Sequence, residues 1–216
     1  EGMSRFGWQT IEERGLPIAA QKEGRTITLE PGGQFELSGA ALGDAHQIFQ
    51  ETEAFHQQLK TLGDELGLSF LAQGHQPKHT RNELPWMPKQ RYEIIRDYMP
   101  KRGSLGLDMM QSTCAFQVSA DFADEADMVK KFRVALALQP LATALFAKSP
   151  LAEGKFSGYL SYRGYVWRDT DPARCGSLPF VVEAGMGFVR YTDYVLDVPM
   201  YFVCRDGEYI DSIGLS

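Results

Sequence analysis

Cysteine is scarce in this chain of 216 residues: Cys114, Cys175 and Cys204 stand far apart and form no CxxC pair. That excludes a disulfide framework, offers no zinc-site spacing, and fits a reducing compartment such as the cytoplasm. Long hydrophobic runs are missing too. The best stretch, 134–147, is interrupted by Gln139 and Pro140 and falls short of the roughly 18 residues a membrane span needs. Positive charge is not in excess, with 22 Lys and Arg against 28 Asp and Glu for a net charge of −6, so a nucleic-acid backbone is not an expected partner. There is no GxSxG elbow, no GxxxxGK(S/T) loop and no GxGxxG following a strand, which removes the serine hydrolase, P-loop and Rossmann readings. The chain opens on Glu1-Gly2-Met3 without a signal-type run.

What is present suits a globular chain. At 44% hydrophobic and 23% charged residues, it can bury one large core or two small ones without staples. Residues 17–22 and 25–29 read as a hairpin around Glu23-Gly24, and Pro31-Gly32-Gly33 places a turn or bulge before 34–37. Asp44 caps a helix predicted over 44–66, followed by a short apolar strand at 68–71. Pro88 and Pro100 bracket a helix carrying Arg91. Alternation predicts a strand over 113–122, and a helix over 124–147 is expected to be buried after Val134. A glycine-rich, loop-like stretch follows Pro150, then a short helix at 188–196 and a hairpin around Asp206-Gly207. Without a regular βαβ alternation, this predicts an α+β fold with a mainly antiparallel sheet.

Three side chains stand out on the extended segment that starts at Thr28. Glu30, Gln34 and Glu36 lie at even offsets and would share one face of a regular strand, unless the two glycines shift the parity. Such oxygens suit a hard cation like magnesium, and equally suit a solvated strand face. The stretch 159–171 combines Arg163 and Arg168 with aromatics and acids, a composition for clamping a carboxylate or phosphate or for a structural network. Arg91 carries the same ambiguity. His75 and His79 are four apart, but Pro77 between them breaks the helix a chelating pair would need. Cys114 reads as a small buried residue.

Several longer motifs carry a resemblance: residues 27–39 (ITLEPGGQFELSG), 99–110 (MPKRGSLGLDMM), 137–147 (ALQPLATALFA), 167–171 (WRDTD) and 193–202 (DYVLDVPMYF). In order and content they resemble the plant-type glutamate-cysteine ligases, which also occur in proteobacteria. The likeness runs along the whole chain, and the chain is expected to be about the middle half of a family member, a single catalytic domain over 1–216 within a longer ligase. The resemblance implies a glutamine synthetase-like catalytic fold, with a curved, mainly antiparallel sheet and flanking helices, present here as an incomplete copy. It also implies ATP-dependent joining of the γ-carboxylate of glutamate to the amine of cysteine through a γ-glutamyl phosphate, the first step of glutathione synthesis, with magnesium on the phosphates.

By that resemblance Glu30, Gln34 and Glu36 are expected as metal and nucleotide ligands, with Glu30 and Arg163 the catalytic pair. Arg163 and Arg91 would hold the carboxylates of glutamate, Tyr201 would line the substrate pocket, and Thr113 and Gln117 would face it from one strand. The expected partners are the small molecules glutamate, cysteine and ATP, with no nucleic acid and no membrane. Two departures matter. The chain lacks the family's acidic strands of Thr-Glu-His-Glu and Leu-Glu-Met-Arg type, so the piece alone is expected to be inactive. Phe49 and Ser212 occupy positions where plant members carry regulatory cysteines. The alternatives are a binding remnant without catalysis, and a related ligase with another amine acceptor.

Overall fold

The computed structural model describes residues 2–213 and divides into two compact units, one of Glu1–Ala72 with Leu84–Lys89 and one of Gln73–Glu83 with Gln90–Ser216. In the first unit a 3-10 turn, Gly2–Phe6, leads into four strands: β1 (Gln9–Glu13), β2 (Leu16–Lys22), β3 (Arg25–Glu30) and β4 (Gln34–Ser38). They pair antiparallel in chain order. The turns explain the simple meander: Glu23 and Gly24 have φ of 50° and 78°, the left-handed pair whose twist matches that of the flanking strands. A second such turn at Arg14 and Gly15 creates β1, which the sequence reading does not anticipate.

Helix α1 (Ala45–Leu66) begins where Asp44 accepts from the backbone N–H groups of His46 and Gln47, and ends at Gly67 in the left-handed region. Its Phe55, Leu59 and Leu62 recur at helical spacing and bury themselves against Met3, Trp8 and Ile27. Phe35 and Leu37 of β4 pack on the same cluster. Odd-numbered side chains of β3 and β4 thus build the core.

The second unit is helical with short hairpins. It contains α2 (Gln90–Tyr98), α3 (Gly106–Ser112), α4 (Glu125–Leu145), β5 (Leu151–Ala152), β6 (Lys155–Phe156), α5 (Tyr162–Val166), α6 (Phe188–Asp197), β7 (Phe202–Arg205) and β8 (Glu208–Asp211). A 3-10 turn, Met99–Lys101, follows α2, and another, Trp167–Asp169, extends α5. Asp206 and Gly207, at φ of 53° and 83°, close the β7–β8 hairpin where the Asp-Gly signal placed it.

Four expectations need correction, the simplest being Cys114, which is exposed and not buried. Residues 68–71 form no strand, and 114–122 run as irregular chain after α3, with Thr113 making only an isolated bridge to His75. The alternation there has no neighbouring strand among the described residues to pair with, and Phe116 and Val118 stay 70% and 82% exposed. Helix α4 forms as predicted but is not buried: Met128 is its one buried residue, while Leu138, Leu141 and Leu145 face solvent. Apolar composition alone cannot bury a helix when no second layer covers it. The mix of helices with antiparallel strands is the expected α+β class. Among the described residues no helix is long and apolar enough to cross a membrane.

Candidate functional site

The first group of expected residues sits on the β3–β4 hairpin. Pro31-Gly32-Gly33 forms a tight turn, with both glycines at φ 78°, so the chain reverses between Glu30 and Gln34 where one continuous strand was considered. Glu30 pairs directly with Gln34, and Thr28 with Glu36. Directly opposed residues share a face. Glu30, Gln34 and Glu36 therefore stand together on the face away from Ile27, Phe35 and Leu37.

The turn is held from outside by residues 84–89. Gly32 N–H donates to the Pro85 carbonyl at 2.8 Å, and Lys89 Nζ donates to Glu30 Oε1 at 2.7 Å with its side chain 5% exposed. Gln34 Nε2 donates to the Pro31 carbonyl at 2.7 Å, which orients the amide. Two carboxylates and an amide oxygen are hard donors of the kind magnesium takes. They could supply part of a shell and not all of it: among the described residues no three His, Cys, Asp or Glu side chains gather to hold a metal ion, and Lys89 already sits on one Glu30 oxygen. A cavity of about 560 Å³ in this unit is lined by Gly7, Gln9, Lys22 and Arg25, and by none of the expected residues.

The second group lies around α5. Ser161 caps the helix by accepting from Gly164 N–H, and Ser149 Oγ accepts from Arg163 N–H at 3.2 Å. A Cβ on Gly74 would stand 3.3 Å from Ser149 Oγ and 3.7 Å from Arg163 Cδ, so the segment before His75 runs tight against the arginine. Arg163 is half-buried, with its guanidinium 5.7 Å from the Trp167 ring centroid. Its Nε has no hydrogen-bond partner, and no carboxylate of the described residues pairs with it. Burial lowers its pKa, yet an arginine keeps its charge. A half-buried cation without a counter-charge has the chemistry to take up an anion.

His75 completes this group, and the sequence reading considered it only as a metal ligand. It is 6% exposed, bridges to Thr113 and meets the Tyr162 ring edge-on at 4.8 Å. Its Nδ1 lies 2.9 Å from the Gln76 carbonyl. Burial lowers its pKa from the ordinary 6.5, opposed by the Gln76 carbonyl, Asp108, the Leu151 carbonyl and Glu153. The available signal was a histidine between Gly74 and Pro77, on a segment that cannot be helical and must make its contacts locally.

The remaining expected residues make other contacts. Thr113 is buried and donates to the Met109 carbonyl at 2.7 Å. Gln117 is exposed on irregular chain, so the shared strand face with Thr113 does not exist. Arg91 lies over the Tyr92 ring and donates to its hydroxyl at 3.1 Å. Tyr201 donates to Asp171 Oδ2 at 3.0 Å, and Arg174 donates to the same oxygen at 2.6 Å and to the Tyr98 hydroxyl at 2.8 Å. Burial and then Asp171 raise the Tyr201 pKa. Its hydroxyl is thus committed to an internal network with Asp171, which is 1% exposed.

Comparison with known proteins places these residues in a context. The model of Glutamate-cysteine ligase family 2 (GCS2) matches residues 8–214. Over 212 residues the chain is 55% identical to glutamate-cysteine ligase B, chloroplastic, of Oryza sativa subsp. japonica, covering 98% of this chain and 43% of that protein. It is likewise 55% identical to the chloroplastic enzyme of Solanum lycopersicum and 53% identical to that of Arabidopsis thaliana, covering 40% and 41% of them. The chain therefore spans about two fifths of the length of these relatives.

Proposed function

The chain belongs to glutamate-cysteine ligase family 2, and from that premise we propose that this protein joins the γ-carboxylate of L-glutamate to the amine of L-cysteine at the expense of ATP. The γ-carboxylate of glutamate would accept the γ-phosphoryl group of ATP with ADP leaving, and the cysteine amine would then attack the acyl carbon of the γ-glutamyl phosphate and displace phosphate. The single observation that best supports the reading is Arg163, a half-buried guanidinium with an unpartnered Nε and no ion pair to a carboxylate among the described residues. Its task would be to hold and orient a glutamate carboxylate, with Arg91 assisting from α2. Fixing the reacting groups in place is a large part of what such a site contributes.

Glu30, Gln34 and Glu36 would hold magnesium at the ATP phosphates. The ion would neutralise phosphate charge during transfer. What the chain itself supplies is a rigid hairpin face, pinned at its turn by Pro85, on which these oxygens keep a fixed register. With two carboxylates on that face, the 216 residues alone are expected not to complete the ligation. Thr113, Gln117 and Tyr201 remain pocket residues in this proposal, Tyr201 through its ring. The wider frame is a glutamine synthetase-like fold with a curved sheet, in which residues 1–216 are one stretch of a single catalytic domain. The proposed compartment is the cytoplasm, while the relatives compared are named as chloroplastic.

A second reading, a binding module without ligation, is favoured by Lys89, whose ammonium occupies Glu30. Calorimetry separates the two. Magnesium-ATP binding by this chain that disappears in Glu30→Ala is the result expected for the ligase site, and glutamate binding without any ATP binding would replace it with the module. For the whole protein, ADP release that depends on both glutamate and cysteine is expected.

A further inference from the structure

Two buried polar atoms of the second unit lack any hydrogen-bond partner, His75 Nε2 and Arg163 Nε, and they belong to one cluster through Gly74, Ser149 and Tyr162. Their chemistry is complementary. The Gln76 carbonyl can only accept, so the proton it shares with His75 belongs to Nδ1. In the neutral ring Nε2 then presents a bare lone pair, an acceptor with no donor. The Leu151 carbonyl lies beside the same ring, a second acceptor. Arg163 Nε is a donor with no acceptor. Buried groups of this sort are normally satisfied, and each that is not calls for an explanation.

We propose that His75 is a substrate-binding residue, whose Nε2 accepts a hydrogen bond from the α-ammonium of the amino acid whose carboxylate Arg163 holds. The inference rests on the reading of Arg163 as the carboxylate receptor. A zwitterionic amino acid carries both missing partners on one carbon, donors for His75 and acceptors for Arg163. An ammonium has a further proton for the Leu151 carbonyl, which relieves the opposition of two acceptors at the ring. Desolvation lowers the imidazole pKa, which favours the uncharged ring that a cationic partner needs. Tyr162, edge-on to the ring, fixes its plane.

The competing account is a trapped water on Nε2. The test uses the full-length protein and two ligands, L-glutamate and glutarate, which has the same two carboxylates and no amine. His75→Phe keeps the contact with Tyr162 and removes the acceptor. It is expected to weaken glutamate binding by about 10- to 100-fold, the usual worth of a hydrogen bond to a charged group, and to leave glutarate binding unchanged. His75→Gln, which retains an acceptor, is expected to recover part of the loss. Equal weakening for both ligands, or none, in a variant with an unchanged thermal transition overturns the proposal. Should His75→Phe not fold, the 15N shift of Nε2 in the unmodified protein serves: it is expected to move with glutamate and not with glutarate, and no movement with either overturns the proposal. Arg163→Met reports on the underlying reading separately. It should weaken both ligands, and unchanged binding of both would remove the carboxylate receptor itself.

Discussion

Lys89 Nζ and Glu30 Oε1 stand 2.7 Å apart with only 5% and 16% of the two side chains exposed, so the hairpin turn and the strap at 84–89 are joined by a shielded ion pair. Removing one partner of such a pair withdraws a close opposite charge from the other in a poor solvent for it, at about 3–5 kcal/mol. Lys89→Met is expected to lower the stability of this chain by about 3 kcal/mol, read from the urea midpoint at constant slope. The double variant Glu30→Gln/Lys89→Met should regain most of that loss. Simple addition of the two single effects would show that the pair is not coupled.

The Tyr201 hydroxyl lies 3.0 Å from Asp171 Oδ2 and is held protonated by burial and by that carboxylate. An acid whose pKa is raised in the folded state binds more protons folded than unfolded. The stability it contributes is complete below its ordinary pKa of 10.0 and falls as the pH rises beyond it. Tyr201→Phe should lose stability at neutral pH, through the abandoned Asp171 contact, and show a shallower decline between pH 10 and 11. Parallel curves for the two proteins would mean that Tyr201 titrates normally.

Much of the fold was legible because local rules act alone there. Asp44 caps α1 and Gly67 closes it, and Glu23-Gly24 and Asp206-Gly207 each impose a left-handed turn whatever surrounds them. The failures share the opposite character. Residues 113–122 alternate like a strand, yet a strand needs a partner, and α4 is apolar enough for a core, yet burial needs a covering layer. Both depend on a partner element that the local sequence does not specify. For the site, the even spacing of Glu30, Gln34 and Glu36 gave the common face, but through a hairpin and not through one strand. Lys89 as the partner of Glu30, and Asp171 as the partner of Tyr201, could not be foreseen, because pairing across 59 or 30 residues leaves no periodic trace.

His75 should make the second unit sensitive to acid. Its pKa is lowered by burial, against the pull of the Gln76 and Leu151 carbonyls, Asp108 and Glu153, with Tyr162 and the Arg163 cluster packed nearby. The folded state thus binds fewer protons than the unfolded one just below pH 6.5. The contribution is present above pH 6.5 and is lost as the pH falls through the folded-state value. In urea unfolding at pH 7.5 and pH 5, the drop should be smaller for His75→Phe than for the unmodified chain, and an equal drop would refute a shifted His75.

Gly103 gives the most direct test of how α5 is positioned. A Cβ there would stand 2.5 Å from the carbonyl oxygens of both Asp169 and Thr170, while Leu105 N–H donates to that Asp169 oxygen at 2.9 Å. Backbone oxygens in a hydrogen-bonded turn cannot swing aside, so Gly103→Ala must displace the turn Trp167–Asp169 and, with it, the helix that carries Arg163. Overpacking of this kind costs about 1–3 kcal/mol. Gly43→Ala is the control, because its Cβ would meet nothing closer than Gln47 Oε1 at 3.6 Å, an ordinary contact. Gly103→Ala is therefore expected to destabilise the chain more than Gly43→Ala and to weaken glutamate binding to the full-length protein without removing any group that touches substrate. If both variants bind glutamate equally well, the Asp169 contact does not set the position of Arg163.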